Sequence, residues 1–104
     1  MKEFIGFAGL LANIDKLPIV GWVFVNTQVD RASYEALRST VFYVAEDDME
    51  EIYFEKSKQT FIECPIFTDI KFVVDRSPIK PDLQAYLEAT IYYIENDDFL
   101  EGPN

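Results

Sequence analysis

The stretch "TVFYVAEDDMEEIY", residues 40–53, joins a strand signal directly to a helix signal. Thr40–Ala45 is β-branched and aromatic, the composition of a half-buried strand. Five acids follow at once: Glu46, Asp47, Asp48, Glu50 and Glu51. Asp48 and Glu51 have the D-x-x-E spacing of a capping box, which predicts a helix from Met49 to about Lys58 with Met49, Ile52 and Tyr53 inward. First-turn acids also gain about 0.3–1 kcal/mol each from the helix dipole. A strand running straight into a capped helix places the chain among mixed α/β or α+β folds.

The flanking segments extend this pattern. "GWVFVN" (21–26) and "TFIEC" (60–64) read as two further short strands. Residues 3–14 carry Phe4, Phe7, Ala8, Leu11 and Ile14 on one helical stripe, weakened by Gly6 and Gly9 and ended by Pro18. Residues 27–39 lack a clean period and are expected to connect, with one helical turn near Ser33–Leu37. Residues 65–77 present Ile66, Ile70, Val73 and Val74 as a helical stripe behind Pro65, so a helix is expected; Phe72 lies off that stripe, and a strand "IKFVV" (70–74) is the alternative that would explain it. "PDLQAYLEATIYYIEN" (81–96) has the strongest helical period, with Leu83, Leu87, Thr90, Ile91 and Ile94 as its core face. The expectation is about three strands in a small sheet packed against three or four helices as one pair of layers.

The 104 residues predict one domain over 1–104, long enough for a core without staples. Nineteen acids oppose nine bases, a net charge of −10. Such a surface repels nucleic acid and anionic membranes and attracts basic proteins. The lone Cys64 excludes an internal disulfide, which fits a reducing cytoplasm. The apolar run 4–12 lacks a net positive flank and a cleavage site, so no signal peptide is expected. No run is long enough to span a bilayer.

No His is present, so the commonest general acid–base group is missing. Phosphate-binding and nucleophile motifs are also missing, and no enzyme activity or cofactor is expected. "AEDDMEEI" has neither the alternating ligands nor the central Gly of a calcium loop, so no metal is expected. The last helix breaks a rule instead. Glu95, Asp97, Asp98 and Glu101 crowd its C-terminal end, where the dipole disfavours acids. Tyr92 projects opposite the core face at 100° per residue, beside Glu88 and Glu95. An exposed tyrosine among carboxylates suits a protein-interface anchor; Tyr93, at the border, suits structure.

"FTDIKFVVDRSPIKPDLQAYLEATIYYIENDDFLE" (67–101), with its "YY…D-x-F" ending, resembles a family of small acidic bacterial proteins built on a domain of unknown function. "LPIVGWVFV" (17–25) and the acidic segment before a short helix extend the resemblance over most of the chain. "VVDRSPIKPD" departs from it, since relatives carry Asn or Gln there. Members accompany polymorphic toxins, and some serve as immunity proteins in contact-dependent growth inhibition. The resemblance implies a cytoplasmic protein that binds a cognate toxin domain. A basic, nuclease-like toxin would suit the charge. The expected contact residues are Asp47, Asp48, Glu50, Glu51, Glu95, Asp97 and Asp98, with Tyr92 as anchor. An acidic adaptor or regulatory domain without a toxin partner is the alternative.

Overall fold

Lys2 to Ile5, at the start of the segment expected to be helical, instead form a strand. The structure, a computed structural model, describes residues 1–100. Its strands are β1 (Lys2–Ile5), β2 (Trp22–Val25), β3 (Val41–Val44) and β4 (Gln59–Glu63). Its helices are α1 (Gly6–Ala12), α2 (Tyr34–Ser39), α3 (Asp48–Ser57), α4 (Cys64–Asp75) and α5 (Leu83–Asn96), with a 3₁₀ turn at Ile14–Lys16. The α/β class is as expected, with a fourth strand and a fifth helix added.

The change from β1 to α1 turns on Gly6. Its φ is +74°, and a Cβ there would lie 2.5 Å from the Arg38 carbonyl oxygen. Only glycine fits that approach without strain. The Gly6 N–H donates to the Thr40 carbonyl at 2.7 Å, which carries the β1–β3 pairing one residue further. Phe4 therefore enters the core from a strand, not from the helical stripe.

All sheet neighbours are antiparallel, in the order β1-β3-β2-β4. Alternation along the strands gives two different faces. Phe4, Val23, Val25, Phe42 and Val44 share one face with Phe61 and Ile62 of the irregular β4. On it, α1, α4 and α5 bury Phe7, Leu10, Phe67, Ile70, Leu87 and Ile91, and α2 adds Leu37. Phe7 meets Phe67 edge-on at 5.7 Å and Phe42 at 6.4 Å.

The opposite face offers Phe24 and its cross-strand partner Tyr43. Phe54 of α3 covers both, with ring centroids 5.5 and 6.1 Å away. The sheet is thus covered on both sides, and α3 adds a third layer to the expected pair.

The C-terminal third follows its sequence closely. Pro65 sits in the first turn of α4, where its missing N–H costs nothing. Phe72 stays exposed beneath the Arg76 guanidinium, 5.8 Å from its ring centre. Asp82 caps α5 by accepting from the Ala85 N–H at 2.9 Å. Thr90 is fully buried and donates its hydroxyl to the Tyr86 carbonyl at 2.8 Å. The Tyr86 hydroxyl in turn donates to Asp75, tying α5 to α4.

Candidate functional site

The acids of 46–51 divide into those that hold α3 and those left over. The cap is Asp47, one residue before the expected Asp48: its Oδ1 accepts from the Glu50 N–H at 2.8 Å. Glu50 reciprocates by accepting from the Glu46 N–H at 3.0 Å. Its other oxygen lies 3.2 Å from the Met1 α-amino group, which also meets Glu46 at 3.0 Å. Glu46, Asp47 and Glu50 are therefore committed to local structure. Asp48 is exposed and Glu51 half-buried, and neither caps the helix.

The helix also faces the other way from its apolar pattern. Met49, Ile52 and Tyr53, expected inside, are 81%, 52% and 63% exposed. The reason lies in the sheet. Its second face presents Phe24 and Tyr43, and Phe54 packs over both. Lys58, one turn on, lies over the Tyr43 ring at 3.9 Å and closes that end. At 100° per residue Ile52 lies nearly opposite Phe54, with Met49 and Tyr53 on one side and Asp48 and Glu55 on the other. The outer surface of α3 is thus an apolar stripe with carboxylates along one border and the exposed Lys56 at its C-terminal end.

Glu51 stands where this helix meets the loop before β2. A Cβ at Gly21 would lie 3.6 Å from its Oε2. Burial raises the Glu51 carboxyl pKa, the charge of Glu55 adds to this, and the Trp22 backbone partly offsets it. The same loop carries Ile19 and Val20, both largely exposed. These two were missed as candidates. "PIVG" places two apolar residues between turn formers, and that signal is readable.

The second cluster lies at the end of α5, across the sheet from α3. Asp97 adopts the left-handed conformation (φ 53°) and ends the helix, its N–H donating to the Tyr93 carbonyl at 2.8 Å. Asp98 Oδ1 accepts from the Phe99 N–H at 2.8 Å, and Phe99 folds back onto Tyr93 at 5.3 Å. "ENDDF" thus contains a helix stop and a turn. Tyr92 and Glu95 remain exposed. The sheet keeps this cluster apart from Asp47, Asp48, Glu50 and Glu51, so the expected contact residues do not form one surface.

Chemistry elsewhere is sparse. Cys64 is fully buried, and burial pushes its thiol up to about 12. Among the described residues no group of three or more acids or thiols converges to hold a metal ion. Nor is any helix among them long and apolar enough to cross a membrane. Compared with protein-family models, with curated proteins and with solved structures, the chain matches none.

Proposed function

We propose that the protein is an immunity protein that binds a basic, nuclease-like toxin domain and blocks it, using the outer face of α3. One observation carries this reading: α3 leaves Met49, Ile52 and Tyr53 in water while acids border them. An apolar centre with a charged rim is the usual anatomy of a protein interface. In this assignment Ile52 and Tyr53 anchor the contact, and Asp48, Glu51 and Glu55 meet the partner's cations. Asp47 and Glu50 act indirectly by holding the helix. The net charge of −10 would speed encounter with a cationic partner.

The test is co-expression with the product of the adjacent gene. A stable complex, loss of the partner's toxicity, and at least tenfold weaker binding for Tyr53→Ala or Ile52→Asp are expected. Association should slow as salt rises from about 0.05 to 0.5 M. A complex that leaves the partner fully active would make the protein an adaptor. Binding lost with Tyr92→Ala but kept with Tyr53→Ala would move the interface to the end of α5.

A further inference from the structure

The loop before β2 puts two adjacent aliphatic side chains in water. Ile19 is 88% exposed, the most of any large apolar side chain among the described residues, and Val20 is 77% exposed. One such residue is ordinary on a surface, but a contiguous apolar patch marks a contact site. Both ends of the loop are restrained. Pro18 fixes its own φ at the start, and the Gly21 carbonyl at the end accepts from the Cys64 N–H at 2.9 Å.

The loop meets the outer face of α3 at Glu51. A Cβ at Gly21 would lie 3.6 and 3.9 Å from the two Glu51 carboxylate oxygens. At 100° per residue, Asp48 and Glu55 share that side of the helix, Ile52 comes next, and Lys56 lies beyond Ile52. The three carboxylates therefore run between two apolar flanks, Ile19 and Val20 on the loop and Ile52 and Met49 on the helix. Among the described residues none of the three forms an ion pair, and neither Lys16 nor Lys56 pairs with them. The charges acting on Glu51 are those of Glu55 and Asp48, and both are negative. An uncompensated acidic row between apolar flanks suits a cation on an aliphatic stem. Arginine suits it better than lysine, because its planar fork spans carboxylate oxygens and it sheds water more readily.

We propose that the partner inserts an arginine, from a segment that alternates apolar and basic residues, between the Ile19–Val20 loop and Ile52. Its stem lies against these side chains and its guanidinium meets Glu51 and Glu55. This rests on placing the interface on the outer face of α3, and adds a second wall and the chemistry of the residue received there.

The probe is the acetylated peptide amide Leu-Arg-Leu-Arg-Leu-Arg, titrated into ¹⁵N-labelled full-length protein at about 0.15 M salt, where distant charges are screened. Saturable amide shifts centred on residues 18–22 and 48–55 are expected. Ile19→Ser with Val20→Ser should weaken binding about tenfold, as should Glu51→Gln with Glu55→Gln, and as should citrulline in place of arginine. The exposure of Ile19 and Val20 leaves the fold intact, which the spectrum of the free variant verifies. Absence of saturable binding, shifts centred on residues 95–98, equal binding of the citrulline peptide, or unchanged binding by the serine variant would overturn the proposal. If the adjacent gene product binds and is lost with Tyr53→Ala but not with the serine variant, this inference fails and the toxin reading stands. If the peptide binds as expected and that gene product does not bind at all, the toxin reading fails and the docking surface stands.

Discussion

Phe54 and Ile52 sit two positions apart on α3 and should respond to truncation in opposite ways. Phe54 is 1% exposed and fills the space over Phe24 and Tyr43. Phe54→Ala removes that contact and leaves a void that two strands cannot collapse into, so about 3–5 kcal/mol of stability should be lost. Ile52 is half exposed. Full burial of such a side chain is worth about 1.5–3 kcal/mol, so its remaining contact is worth about 1. Alanine's better helix propensity returns a few tenths of that, and Ile52→Ala should cost less than about 1 kcal/mol. Urea unfolding with a constant m-value measures both. Trp22 shares the sheet face under α3, so its fluorescence reports on that side. A cost of about 2–5 kcal/mol for Ile52→Ala beside less than about 1 for Phe54→Ala would refute the orientation of α3. The interface drawn on its outer face would fall with it.

Three further outcomes are expected. Asp47→Ala should cost about 0.5–2 kcal/mol in chemical denaturation, because a cap is lost, whereas Asp48→Ala should stay within about 0.5 kcal/mol. Asp97→Asn should raise stability by about 0.3–1 kcal/mol, since asparagine keeps the left-handed turn and removes an acid from the negative end of α5; a thermal melt that falls instead would show that the carboxylate itself is needed. The Asp75 carboxyl is held below its usual 3.8, first by the hydrogen bond from Lys71 and then by that from Tyr86. Its stabilisation is present above pH 3.8 and is lost as pH falls through the lowered folded value. Tyr86 is pushed up to about 12, chiefly by the same bond to Asp75, so its share is present below pH 10 and lost as pH rises toward 12. Tyr86→Phe should flatten both limbs of the stability–pH curve, and unchanged limbs would count against the bond.

Much of the fold was legible because its elements carry their own signals. The runs at 21–26, 40–45 and 60–64 are apolar, β-branched or aromatic and became β2, β3 and β4. Pro65 marks the start of α4, and the helix expected from Pro81 begins two residues later, at Leu83, behind the Asp82 cap. The errors came where burial is settled by distant residues. Phe4 fits a helical stripe with Phe7 and Leu11, and only Arg38 and Thr40, far along the chain, make Gly6 the point where strand gives way to helix. Periodicity likewise favoured Met49, Ile52 and Tyr53 over the single Phe54. The shape of the surface around Phe24 and Tyr43 decided otherwise. The acids were legible as a cluster, but which of them cap the helix depends on a one-residue shift and on the Met1 amino group.

The strand order also governs how the chain can be made. Each of the three strand pairings spans at least one helix, so the sheet contains no tight hairpin to form early. Closing those long connections before any ladder bond forms is slow compared with local helix formation. During synthesis β4 completes the sheet first, and only later do α4 and α5 arrive to cover Val23, Val25, Phe42 and Val44. A nascent chain halted at residue 63 would carry an apolar sheet face covered only by α1 and α2, a target for chaperones or for aggregation. The last third of the polypeptide is therefore what makes the first two thirds safe to release.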